Sequence, residues 1–73
     1  MLFSRKEAVL QHLRHFQIHG IDYYDVVYLD QAEPDAQPQI ARVPGEMIYS
    51  GARAGDRVLV EKIANTVMRI EKL

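Results

Sequence analysis

Three histidines stand within eight residues, at His12, His15 and His19, and imidazole nitrogens are common ligands of transition metals. On a helix, residues four apart share one face, so His15 and His19 would be able to hold one nickel, zinc or copper ion. The same helix offers no Asp or Cys beside them to complete a site. A half-exposed helix flank of basic character is therefore the favoured interpretation, and metal binding is the alternative.

Carboxylates are concentrated in residues 21–38, which hold five acids and no base. Paired acids can act as general acid and base or bind calcium, but Asp22 and Asp25 do not follow the alternating ligand spacing of a calcium loop. The sequence has no nucleophile elbow, no glycine-rich phosphate loop and no cysteine. We therefore expect a protein that is not an enzyme and needs no cofactor, with the acids forming a solvated edge.

Four tyrosines and no tryptophan are present. Tyrosine combines a large apolar ring with a hydroxyl group, and it is favoured at protein interfaces. Tyr24 and Tyr28 are expected in the core together with Val26. Tyr23 lies close to Asp22 and Asp25, so it is expected on the surface and is the better candidate for binding a partner.

The formal net charge of −1 results from an uneven distribution of charge. Residues 1–20 carry three bases and one acid, and residues 39–73 carry six bases and four acids. Isolated nucleic-acid-binding modules usually have a strong basic excess, which this chain lacks. The interspersed charges of the C-terminal half are more typical of a solubility surface.

A helix is predicted to position the histidines. Ser4 and Glu7 have the spacing of a capping box, and Gly20 has the character of a residue that follows the end of a helix. Between them, four apolar residues recur at helical spacing: Val9, Leu10, Leu13 and Phe16. We predict a helix over residues 5–18.

The rest of the chain predicts strands. Residues 21–30 are rich in Tyr, Val and Leu, whereas 31–39 contain two prolines and are expected to form a loop. Further strands are predicted over 40–43, 46–50, 57–63 and 67–73. The expected fold is a single α+β domain over residues 1–73, with one N-terminal helix packed on a small antiparallel sheet or partly open barrel of four to five strands, of the SH3-like or OB-like kind.

No long apolar run is present that would form a signal peptide or a membrane span. We expect a cytoplasmic protein with no membrane partner. The absence of cysteine is compatible with a reducing compartment.

Three segments resemble the swapped-hairpin DNA-binding domains of the AbrB and MazE families. They read RVPGEM at 42–47, GDRVLVE at 55–61 and MRI at 68–70. This resemblance implies a dimeric transcriptional regulator in which Arg42, Arg53 and Arg57 contact DNA.

The length of 73 residues, the expected helix-plus-sheet build and the segment GARAG at 51–55 resemble a second group. These are small Xanthomonas-phage regulators that bind host RNA polymerase, inhibit initiation and promote antitermination. The resemblance implies a role in the host cytoplasm.

The leading hypothesis is therefore a protein–protein interaction domain that regulates transcription by binding RNA polymerase. Either a cationic helix face or the acidic tyrosine strand would dock on a complementary patch of the partner. The candidate residues are Leu2, Phe3, Arg5 and Arg14 for the first surface, and Asp22, Tyr23 and Asp25 for the second. Whether the protein is a monomer or a homodimer is left open by the sequence.

Overall fold

A computed structural model describes residues 3–33, 35 and 37–73, and these residues contain no α-helix. The predicted α+β class is therefore wrong, because the chain forms an antiparallel sheet of five strands. The strands are β1 (Phe3–Ile18), β2 (Ile21–Asp30), β3 (Gln39–Pro44), β4 (Arg57–Ile63) and β5 (Thr66–Lys72), with one 3-10 turn at Gly45–Met47 between β3 and β4. None of the described residues belongs to a helix that is long and apolar enough to cross a membrane.

The helix predicted over residues 5–18 is replaced by β1. Its supposed end explains the error, because a residue with positive φ ends a helix and also forms the two-residue turn of a hairpin. His19 and Gly20 have φ values of 51° and 79°, and they join β1 to β2 in such a turn. The apolar spacing was equally ambiguous, since Leu10 fits both a helical stripe and the inward face of a strand.

The sheet has the order β3-β2-β1-β4-β5. The first part of β1 pairs with β4 from Phe3 to Val9, and β2 pairs with β1 from Ala8 to Ile18. The sheet curls until a parallel bridge joins Ile48 to Ile70 of β5. β3 and β5 also contact each other, so the two edge strands of the sheet come together and close the curl.

Other predicted strands are recovered with one exception. The strand expected over 21–30 is β2, and those expected over 57–63 and 67–73 correspond to β4 and β5. The strand expected over 46–50 does not form. Pro44 and Gly45 stop β3, the chain makes the 3-10 turn, and only Ile48 bridges to another strand.

The core fills the closed part of the sheet with side chains from every strand. Its two most central β1 residues are Ala8 and Leu10, each 1% exposed. The other buried residues are Val26, Tyr28, Ala41, Val43, Ile48, Val58, Val60 and Ile70. Beyond Leu10 a bulge interrupts the β1–β2 register, and the second half of β1 extends past β4 with only β2 beside it.

A strand and a helix over residues 5–18 predict different losses of unfolding free energy when Leu10 or Phe16 is substituted. Leu10→Ala should lower the free energy of unfolding by about 2–5 kcal/mol, because it opens a cavity in the core. Phe16→Ala should cost only about 1 kcal/mol or less, because it removes a surface cross-strand pair. Urea denaturation of both variants measures the two losses of unfolding free energy. Equal large losses would instead support a helix, in which both side chains are buried.

Candidate functional site

The outer surface of the sheet has two regions of different chemistry. Over the first half of β1 and over β4, it carries exposed ion pairs. The Nε atom of Arg5 lies 3.2 Å from Oε1 of Glu61, and Nη2 of Arg57 lies 3.7 Å from Oε1 of Glu7. Exposed pairs of this kind contribute little to stability, so this region is a solvated surface.

The second region covers the projecting half of β1 together with β2 and β3. Because side chains alternate along a strand, the register places one set of them together on the outside. We call this set the aromatic–arginine face: His12, Arg14, Phe16 and Ile18 of β1, Ile21, Tyr23, Asp25 and Val27 of β2, and Ile40, Arg42 and Pro44 of β3. It contains no Lys and no Glu.

Asp25 is the electrostatic centre of this face. The register sets it between Arg14 on β1 and Arg42 on β3. Arg42 donates from Nε to Oδ1 over 2.9 Å and from Nη2 to Oδ2 over 3.4 Å, and Arg14 donates from Nη2 to Oδ2 over 3.0 Å. The hydrogen bond from Arg42, helped by that from Arg14, holds the pKa of Asp25 below its ordinary value despite some desolvation. Both guanidinium groups are thereby fixed in orientation.

Phe16 lies among the same groups. Its ring stacks on that of Tyr23 with the centroids 5.9 Å apart and the planes 20° apart. The guanidinium carbon of Arg42 lies 4.6 Å from the Phe16 centroid, and that of Arg14 lies 5.3 Å from it. Cation–π contacts of this length order the cluster further. Three strands thus bring together two aromatic rings, two cations and one carboxylate in one set of mutual contacts.

Apolar side chains border this cluster. Ile40 is 76% exposed, Ile21 is 56% exposed and Ile18 is 39% exposed. Single exposed isoleucines are unremarkable, but here they extend an aromatic cluster on the same outer surface. Burial of these side chains against a partner would supply a hydrophobic driving force for binding.

The inner side of the hairpin tip has a separate polar cluster. His15 Nε2 and Asp22 Oδ1 are 2.9 Å apart, and Gln17 Nε2 donates to the same oxygen over 2.9 Å. The Gln17 hydrogen bond, followed by that of His15, lowers the pKa of Asp22. The His15 ring also contacts the Tyr24 ring, at a centroid distance of 4.9 Å.

The metal alternative required His15 and His19 on one helical face, and that geometry does not exist in β1. His15 is bound to Asp22 on the inner side, whereas His19 forms the turn. Within the described ranges 3–33, 35 and 37–73, no three His, Cys, Asp or Glu side chains are grouped so that they could hold a metal ion.

The residues predicted to bind a protein are divided by the fold. Arg14, Tyr23 and Asp25 meet on the aromatic–arginine face, whereas Asp22 points to the opposite side of β2. Arg5 belongs to the charged region and is paired with Glu61. Phe3 is 56% exposed at the start of β1, and Leu2 lies outside the described residues.

The residues predicted to contact DNA lie on three different elements. Arg42 is on β3, within the aromatic–arginine face, whereas Arg53 lies in the loop before β4 and Arg57 begins β4. Sequence reasoning did not place Phe16 or Ile40 on a binding surface. Reading residues 12–18 with a period of two rather than 3.6 would have placed Phe16 beside Arg14.

Hydrogen bonds made by the loop before β4 mark the point where β1 stops pairing with β4. We call the group formed by Tyr49, Arg53, Gly55, Asp56 and Leu10 the latch. Tyr49 Oη donates to Asp56 Oδ2 over 2.6 Å, and the Arg53 N–H donates to the same oxygen over 3.3 Å. Leu10 N–H donates to the backbone oxygen of Asp56, and Gly55 N–H donates to that of Leu10, over 2.9 and 2.7 Å. Burial and the bond to Asp56 raise the pKa of Tyr49. The latch fixes the loop before β4 and is structural.

A small cavity opens between β1, β2 and β4. It has a volume of about 230 Å³ and is lined by residues that include Lys6, Tyr28, Asp30 and Lys62. Lys6 Nζ lies 3.9 Å from Asp30 Oδ2 across it. Binding sites for small molecules usually reach about 300–1,000 Å³, so this opening is a weaker candidate than the outer face.

No protein-family model, no curated protein and no solved structure matches this chain.

We expect the free energy of unfolding to fall at acid pH, in part because Asp25 becomes protonated. Because its pKa is lower in the folded protein, its stabilising effect is present above the unfolded value of about 3.9 and is lost as pH falls through the folded value. We expect Asp25→Asn to lower the urea midpoint at pH 7 and to flatten its decline below about pH 4. Asp22 and Asp56 also have lowered pKa values, so some decline remains.

Asp35→Asn, which removes the same charge from an exposed loop, is the matched control for Asp25→Asn. It should leave the pH dependence as in the natural sequence. If the control and Asp25→Asn have the same profile, the Arg14–Asp25–Arg42 cluster contributes nothing to folding.

Proposed function

We propose that the protein is a non-enzymatic protein-binding module and that the aromatic–arginine face is its docking surface. The observation that carries this proposal is the packing of Phe16 with Tyr23, Arg14 and Arg42 on an exposed sheet face. Aromatic residues and Arg are enriched in the centres of protein interfaces, whereas Lys and Glu are depleted there. The face has that composition, and the charged region around Arg5 and Glu61 does not.

The contacts already made within the face favour binding. Asp25 already holds both guanidinium groups, so less side-chain freedom is lost when a partner docks. With two cations and one carboxylate, the centre of the face keeps an excess of one positive charge. A complementary partner surface therefore offers apolar side chains opposite the isoleucines and a carboxylate near Arg14 or Arg42.

In its specific form, the proposal is that the partner is bacterial RNA polymerase and that binding regulates transcription in the cytoplasm. This form rests on the resemblance to small phage regulators, and the lack of cysteine is compatible with a cytoplasmic location. The expected helix-plus-sheet build no longer supports it, because β1 replaces the helix.

The proposal is tested by binding to purified bacterial RNA polymerase, measured by biolayer interferometry. Phe16→Ala and Arg42→Ala should each weaken binding by about tenfold or more, as expected for central interface residues. Arg5→Ala is the matched control, because Arg5 is also an exposed arginine paired with one acid. It should bind like the natural sequence.

No binding to the polymerase would reject the specific form alone. The general form is tested by quantitative mass spectrometry of proteins cross-linked to the four versions of the chain. It predicts a protein that the natural sequence and Arg5→Ala retain and that Phe16→Ala and Arg42→Ala lose. The general form is refuted if no protein behaves in this way, or if the face instead binds a single-stranded oligothymidylate in a Phe16-dependent manner.

A further inference from the structure

The second half of β1 has one free edge. On one side, β2 pairs with β1 up to Ile18. On the other side, β4 pairs only as far as Val9, and the latch then holds Leu10. Among the residues that the structure describes, no strand pairs with this side of β1 from Gln11 to Ile18.

Backbone groups of three residues are turned towards this free edge. Ile18 and Ile21 flank the two-residue turn and form a hydrogen-bonded pair, after which the direction alternates along the antiparallel ladder. The N–H and C=O groups of Leu13, His15 and Gln17 therefore point away from β2. An unpaired edge of this kind is a template for another strand unless it is protected by Lys, Pro or a bulge. Residues 12–18 contain neither Lys nor Pro, and the bulge of β1 lies before them, between Leu10 and His12.

We propose that a second copy of the chain pairs along this edge, β1 against β1 in antiparallel orientation, and that the pairing is centred on His15. About six backbone hydrogen bonds would join the two copies, two for each of the three residue pairs. The result is one sheet that is continuous across the dimer in the order β3-β2-β1-β1-β2-β3.

The sequence of the edge is complementary to itself in this arrangement. On the outer side, Arg14 lies opposite Phe16 of the second copy, which repeats the cation–π contact made within each chain. His12 lies opposite Ile18. On the inner side, Leu13 lies opposite Gln17. The two His15 side chains face each other at the centre, so no pair of permanent like charges is opposed.

The dimer has a consequence for the outer surface. The aromatic–arginine faces of the two copies lie on the same side of the joined sheet, with each Arg14 next to the other chain's Phe16. The inference does not rest on the proposed function, because the edge is defined by backbone pairing and the face by side chains.

Sedimentation velocity of the full chain over a range of concentrations tests the proposal. We expect a concentration-dependent species of twice the chain mass of 8.4 kDa. Gln17→Pro removes a free-edge N–H that has no role in the β1–β2 ladder, so it should leave a folded monomer. His15→Lys should also give a monomer, because two like charges would then meet at the centre of the dimer. Within one chain, the introduced ammonium group would still face the carboxylate of Asp22, so the fold should be kept.

Amide hydrogen exchange of the unsubstituted chain gives a second readout that does not depend on any variant. At concentrations where the dimer forms, the amides of Leu13, His15 and Gln17 should be protected, and dilution should release them. Amides of Arg14 and Phe16, which bond to β2, should stay protected throughout. A monomer at every concentration would overturn the proposal, and so would a dimer that persists in both variants. Fast exchange at the amides of Leu13, His15 and Gln17 in the dimer would exclude the edge as the interface.

Discussion

The hydrogen-bonding requirement of β1 organises the molecule. A strand of 16 residues has backbone groups on two sides, and only its first half finds a partner on both. That half lies in the closed part of the sheet, where Ala8 and Leu10 reach the core. The second half keeps β2 alone, so it projects with one exposed edge. The closed part contains the buried core, which stabilises the fold, and the projecting part exposes side chains and a strand edge to solvent.

The same division separates the chemistry of the outer surface. Ion pairs such as Arg5–Glu61 cover the closed part, where side chains need only remain solvated. On the projecting part, Asp25 draws arginines from both neighbouring strands towards it, and these cover Phe16. One carboxylate therefore organises the face that we propose as a docking surface. An edge-paired dimer would place two such faces side by side, doubling the contact area available to a partner.

Sequence reasoning recovered the parts of the fold that have a local signal. The run of β-branched and aromatic residues predicted β2, and the strands predicted over 57–63 and 67–73 correspond to β4 and β5. It failed for β1 because Gly20 serves a helix end and a hairpin turn equally well. That failure also affected the site: Phe16 was assigned to a buried helical stripe, whereas it lies on the outer side of the sheet beside the half-buried Tyr23.

The sequence by itself determined the absence of cysteine chemistry, the acidic middle segment and a residue of positive φ at Gly20, because each depends on composition or on one residue's backbone freedom. Only the tertiary structure decided that β1 is a strand, since the hydrogen bonds that hold it are made with other strands: β2 across the turn and β4 far along the chain. It also decided that Arg14, Asp25 and Arg42 meet. The two-residue turn fixes the pairing of Arg14 with Asp25, but β3 follows a long loop that does not fix its register, so the sequence did not show that Arg42 lies opposite Asp25.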